Sequence, residues 1–253
     1  MIPYIEFKEK ARLCKVPIST IERDYAQNWL LAYLPKMAFK GGTGIRKAYI
    51  ENYRFSDDLD FTLVEINTLK DLTNKIIKAI QDAKNASGIS FLDDIKSEEV
   101  KNGYVIHIFF RILRSTGDPQ KIKMDITNKE NEQIINPLQK KNIIHLYSDK
   151  INEHITVYTL EEMFTEKVRS LFGRTRPRDL YDVWYLNKKM PFDTSLFQKK
   201  CTYKKVEPDI DELATRKTNY EKTWEGSLQH QLPTLPSATE VFDEVMEFLK
   251  KIL

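Results

Sequence analysis

The chain has 253 residues, 41% of them hydrophobic and 30% charged, with a net charge of only +3. That length and balance suit a folded protein with a real core, built as one large domain or two packed lobes. No apolar run approaches the roughly 18–20 residues needed to span a membrane, and residues 1–6 lack a basic segment leading into an apolar one, so a cytoplasmic protein without a membrane partner is expected.

Cys14 and Cys201 lie far apart, and the four histidines are scattered, so zinc ligation is not expected. A bound metal would have to be a hard ion held by carboxylates. Charge is unevenly spread. Residues 167–206 carry eleven Lys and Arg against three acids, whereas residues 223–253 carry two lysines against five acids. Such a basic field could attract a polyanion such as RNA, although a solvated lysine-rich surface explains it equally well.

In chain order, Ser19 and Glu22 have capping-box spacing, and Ile21, Tyr25, Trp29, Leu30 and Leu34 follow at helical intervals up to Pro35. A short run at 37–40 enters a Gly41-Gly42 turn, with a short helix expected over 45–49. Residues 59–64 are β-prone, so Asp58 and Asp60 should open a strand. A second amphipathic helix is expected over 68–84. The clearest hairpin joins 104–113 to 122–127 through turn chemistry at 115–119, and two further strands are expected at 143–147 and 155–158.

From Thr159 the pattern becomes helical. Thr159 and Glu162 fit a capping box, and Leu160, Phe164, Val168 and Leu171 share one face. Further helices are expected around Leu180–Leu186 and over 241–253. The expected architecture is α+β, with a small mixed-sheet lobe over residues 1–157 followed by a helical lobe over 158–253.

Several residues could carry chemistry. On a strand, Asp58 and Asp60 point to one face about 6.5–7 Å apart and could converge on one or two Mg²⁺ ions; a solvated strand start is the plainer alternative. Asp125, flanked by apolar residues on a candidate neighbouring strand, could be a third carboxylate, could pair with Lys121 or Lys123, or could point to solvent on a half-exposed sheet. The Gly41-Gly42-Thr43 turn allows backbone N–H groups to approach anionic oxygens, with a helix opening behind it. Lys167 borders the apolar face of its helix. Asp179 and Asp182 lie at the start of the next one, where capping is the plain reading.

Together, Gly41-Gly42-Thr43-x-Ile45-Arg46, Arg54-x-Ser56-x-Asp58-Leu59-Asp60, Glu166-Lys167-x-x-Ser170 and Arg178-Asp179-Leu180-Tyr181-Asp182 resemble the AbiEii-type abortive-infection nucleotidyltransferase toxins, within the polymerase-β-like nucleotidyltransferase superfamily. The resemblance runs from about Val16 to Leu186 and departs at Gly44-Ile45, where a residue with a side chain followed by leucine is expected. It implies that Gly41, Gly42, Thr43, Arg46 and Ser56 bind the nucleotide and that Asp58, Asp60 and Asp125 hold Mg²⁺. Lys167 would contact phosphate and Asp182 would complete the site. The implied reaction transfers NMP from an NTP to an acceptor hydroxyl, such as the 3′ end of a tRNA, with a separately encoded antitoxin as partner. A catalytically silent nucleotide- or RNA-binding module and a protein phosphotransferase are the alternatives. Lys167→Ala is expected to impair transfer and leave the fold intact.

Overall fold

The computed structural model describes residues 1–253, which divide into two units, Met1–Tyr158 and Thr159–Leu253. The first contains helices α1 (Tyr4–Cys14), α2 (Ile18–Leu31), α3 (Gly41–Ala48) and α4 (Leu69–Ser87). Its strands are β1 (Ala38–Lys40), β2 (Asp58–Thr62), β3 (Ser90–Phe91), β4 (Lys96–Val100), β5 (Gly103–Arg111), β6 (Gln120–Thr127), β7 (Gln139–Asn142) and β8 (His154–Val157). They form one mixed sheet ordered β3-β5-β6-β2-β1-β8-β7, with β4 also paired to β5. β2 runs parallel to β6 and β1 parallel to β8; the other pairs are antiparallel.

Two-residue periodicity decides which face is core. Tyr104, Ile106, Ile108 and Phe110 of β5 are buried, as are Ile122, Met124 and Ile126 of β6. Register places Leu59 beside Met124 and Phe61 beside Ile126, and Phe61 stacks on Phe39 at 4.9 Å between ring centroids. Helices α2 and α4 add Ile21, Tyr25, Leu30, Leu72, Ile76 and Ile80 to this core. Each such side chain contributes about 1.5–3 kcal/mol on burial. The alternate residues of the same strands carry the polar groups: Lys40, Asp58, Asp60, His107, Lys123 and Asp125.

The second unit is helical: α5 (Leu160–Gly173), α6 (Pro177–Asn187), α7 (Thr194–Lys204), α8 (Ile210–Thr215), α9 (Lys217–Leu228) and α10 (Ala238–Ile252). Thr159 caps α5 by accepting from the Glu162 N–H at 3.2 Å, and Pro177 opens α6 where its missing N–H costs nothing. Phe164, Leu171, Leu180, Val183, Phe197, Tyr220, Val241 and Leu249 form its core. No helix of the chain is long and apolar enough to cross a membrane.

The α+β expectation holds, and several local expectations do not. Ser19 lies inside α2, which begins after Pro17 without a side-chain cap; the Glu22 carboxylate instead accepts from Leu113 N at 3.0 Å and Gln120 Nε2 at 2.7 Å. The helix expected over 45–49 begins at Gly41 itself. Residues 143–147 are not a strand, because their side chains turn to α2: His145 meets Asn28 at 3.0 Å and Tyr147 donates to Asp24 at 2.8 Å. The paired strand is the polar Gln139–Asn142.

Candidate active site

The site begins with the chain segment that delivers β2. Gln27 of α2 donates Nε2 to the carbonyls of Ser56 and Asp57 at 3.1 and 3.0 Å, and Arg23 pairs with the Asp57 carboxylate at 2.5 Å. These contacts fix the backbone before Asp58, so the alternation of β2 starts in a set register. Asp58 and Asp60 then share the face opposite buried Leu59.

β1 runs antiparallel alongside, with Lys40 opposite Asp60, and the chain turns at Gly41. Gly41 has φ +74°, and a Cβ there would overlap Asp60 Oδ2 and lie 2.9 Å from Asp60 Cγ. A Cβ on Gly42 would lie 2.5 Å from Arg54 Nη2 and 3.3 Å from Ser56 Oγ. Thr43 donates its hydroxyl to the Asp58 carbonyl. The two glycines therefore seat the start of α3 directly against the Asp60 carboxylate, Arg54 and Ser56. The α3 N-terminus, whose first N–H groups have no intrahelical acceptor, presents its positive dipole end here.

On the other side of β2, parallel β6 places Asp125 in register with Asp60 and Lys123 in register with Asp58. Lys123 Nζ lies 2.8 Å from the Asp125 carboxylate, so Lys123 is the lysine it pairs with. No group of three His, Cys, Asp or Glu side chains is arranged to hold a metal ion by protein ligands alone. Asp58 and Asp60 of β2 and Asp125 of β6, the three carboxylates expected to hold Mg²⁺, stand on adjacent strands, with Asp60 and Asp125 in register. Two carboxylates on one face nevertheless match what Mg²⁺ requires when substrate phosphates and waters complete its shell.

Arg46, which the resemblance implies binds the nucleotide, is held in the core. It is buried, with Nε 2.7 Å from Asp24, Nη1 donating to the Tyr53 carbonyl and its guanidinium 3.8 Å from the Phe55 ring centroid. Lys47 reaches the same Asp24 at 2.6 Å. Burial alone would raise the Asp24 carboxyl, but Arg46 and Lys47 outweigh it and hold the group well below the usual carboxylate range. This cluster anchors α3 to α2 and so holds the glycine turn in place.

Three groups were given no role from sequence, although Arg54 stands in the Arg54-x-Ser56-x-Asp58 motif. Arg54, 3% exposed, donates to the Phe55 carbonyl at 3.1 Å and closes over Gly42. Lys40, directly before Gly41, pairs with Glu132 at 3.1 Å. His107 is in register with Lys123, and its buried Nδ1 has no hydrogen-bond partner. Counting alternate residues along 103–111 from the Asp125 side would have found it.

Lys167 and Asp182 are in the second unit. There Lys167 Nζ lies 2.7 Å from Asp179 and 2.8 Å from Asp182, and Arg174 joins Asp179 at 2.8 Å. Asp179 is therefore an ion-pair centre and not a helix cap. Burial raises its carboxyl, yet Lys167 and Arg174 together hold it well below the ordinary value. The basic tract is also less of a field than its composition implies. Lys200 is fully buried between Glu162 at 2.7 Å and Glu166 at 3.0 Å, and Lys188 pairs with Glu244 at 2.6 Å.

Residues 25–248 match the family model described as the nucleotidyl transferase AbiEii toxin of type IV toxin–antitoxin systems. No curated protein matched the sequence. Among solved structures, the chain is similar to MenT4, a nucleotidyltransferase toxin of Mycobacterium tuberculosis H37Rv, with TM-score 0.67 and 16% identity over 99% of this chain and 90% of that one. It is also similar to an H. pylori protein assigned to the nucleotidyltransferases, with TM-score 0.60 and 20% identity over 93% of each chain. At these identities the likeness concerns the fold.

Proposed function

Because the chain belongs to the AbiEii family of nucleotidyltransferase toxins of type IV toxin–antitoxin systems, we propose that it transfers a nucleoside monophosphate from an NTP to a hydroxyl of RNA. By the resemblance set out above, the acceptor is the 3′ end of a tRNA in the cytoplasm, where the added nucleotides block translation until a cognate antitoxin intervenes. The observation that carries this reading is the Gly41–Asp60 juxtaposition, which puts a helix N-terminus beside two carboxylates that share one strand face.

The triphosphate lies over Gly41, Gly42 and Thr43, where backbone N–H groups and the α3 dipole meet its charge, with Ser56 and Arg54 beside it. Asp58 and Asp60 hold Mg²⁺, which when bound neutralises phosphate charge and polarises the α-phosphorus. The acceptor hydroxyl oxygen forms a bond to the α-phosphorus, the bond from that phosphorus to the β-bridging oxygen breaks, and pyrophosphate leaves. The Asp125 carboxylate is the group assigned to take the hydroxyl proton. Lys167 as a phosphate contact and Asp182 as its partner remain part of the proposal through the family motif. Arg46 acts from within the core, as the anchor of α3.

Incubation with total RNA, Mg²⁺ and each α-labelled NTP tests this, beside the Asp60→Ala variant. Label in RNA that disappears in the variant supports transfer. Label from γ-labelled ATP on protein favours phosphotransfer instead. NTP binding that survives Asp60→Ala with no labelled acceptor favours a silent binding module.

A further inference from the structure

β2 stands between two different neighbours. The glycine turn lies on its β1 side, and on its β6 side the same sheet face continues as a row of lysines and a histidine. Register sets this row as Asp58, Lys123, His107 and Lys96 across β2, β6, β5 and β4, spanning about 14 Å at the usual strand spacing. One step along, Phe109 pairs with Lys121, and Lys96 Nζ sits 5.8 Å from the Phe109 ring centroid. Phe109 and His107 are only half-buried, unlike their neighbours Ile106, Ile108 and Phe110. A core strand that keeps an aromatic ring and an imidazole on its open face, among lysines, has the composition of a platform for single-stranded nucleic acid.

We propose that this row on β4, β5 and β6 is the seat of the acceptor strand, with backbone phosphates of a single-stranded polynucleotide on Lys123, His107, Lys121 and Lys96 and one base stacked on Phe109. The inference rests on the nucleotidyl-transfer reading for its direction: triphosphate from the glycine side, acceptor from the β6 side, Asp58 and Asp60 between them. A half-buried ring on a sheet face admits an unstacked base, which duplex does not offer. Glu98, opposite Val105, and Asp125 also face this region, so the surface is a lysine and histidine row with acidic flanks and not a uniform basic patch. Burial, reinforced by Lys121 and Lys123, lowers the His107 pKa below its ordinary value. With Nδ1 enclosed and unpartnered, Nε2 is the ring nitrogen left to meet a phosphate oxygen.

Binding of a fluorescent single-stranded RNA of about 12 nucleotides, read by anisotropy across a salt series, tests the assignment without needing turnover. The double variant Lys96→Glu/Lys121→Glu is expected to weaken binding at least tenfold and to flatten the slope of log affinity against log salt by about 1.4, the value for two single-strand phosphate contacts. Phe109→Ala is expected to weaken binding about tenfold with the salt slope unchanged, as loss of stacking requires. NTP binding should be unaltered in both, and equal melting temperatures show that the sheet persists. Affinity unchanged in both variants overturns the proposal. So does displacement of the RNA by polyglutamate as effectively as by unlabelled RNA, which would mark a general anion surface. Failure of nucleotidyl transfer would leave this binding test standing, whereas a flat binding response removes the acceptor row alone.

Discussion

Gly41 and Asp60 occupy adjoining space that admits no side chain at the first position: a Cβ on Gly41 would overlap Asp60 Oδ2, and the φ of +74° is one that L side chains rarely adopt. Gly41→Ala therefore has two consequences. The left-handed backbone costs about 1–2 kcal/mol of stability, and the new methyl displaces the carboxylate. A misplacement of this kind lowers catalysis by about 10²-fold. Thermal unfolding beside a transfer assay checks both, with the activity loss expected to exceed what the modest stability loss explains.

Asp125→Asn separates proton acceptance from substrate binding. Asn keeps the shape and stays in register with Asp60, so the fold and NTP binding should persist. Removal of a general base lowers kcat by about 10²–10⁴-fold. A measured kcat close to wild type would remove Asp125 from the mechanism.

The Asp24 cluster predicts a pH dependence with a defined sign. The folded carboxyl titrates below its unfolded value of about 3.9, so its stabilisation is complete above that pH and is lost as pH falls through the folded value. Asp24→Asn leaves Arg46 and Lys47 facing a neutral amide in a buried setting, which costs about 3–5 kcal/mol near neutrality. Urea unfolding at several pH values should show the wild type more stable than the variant near neutrality, with the gap closing below about pH 4 as Asp24 is protonated.

Lys167→Ala, expected from sequence to leave the fold intact, should not be innocent. Lys167 pairs with two carboxylates, Asp179 and Asp182, that are almost wholly buried. Its removal should cost the second unit about 3–5 kcal/mol. A lower melting temperature will accompany any loss of transfer, so activity must be measured well below that temperature.

Much of the site was legible because its signals are local. The two-residue period of a strand put Asp58 and Asp60 on one face, and the apolar flanks of Asp125 marked a strand that could pair in the same sheet. What sequence could not provide was the identity of side-chain partners. Arg46 looks like a phosphate ligand beside a glycine turn, and only the fold brings Asp24, twenty-two positions earlier, against it. Asp179 has the spacing of a cap, yet two cations from other parts of its unit claim it. The strands β3 and β4 escaped notice because one is two residues long and the other, with its lysine and two glutamates, lacks an apolar alternation. Helix α1 carries one buried residue, Phe7, and so showed no apolar stripe.

The central claim is that Asp58 and Asp60 direct addition of a nucleoside monophosphate to RNA. Mass spectrometry of an acceptor RNA after incubation with the protein, Mg²⁺ and NTPs tests it most directly. The predicted result is a mass gain of one or more nucleoside monophosphates, absent with Asp58→Asn and with Asp60→Asn. A gain of phosphate alone, or a nucleotide gain that persists in both variants, would contradict it.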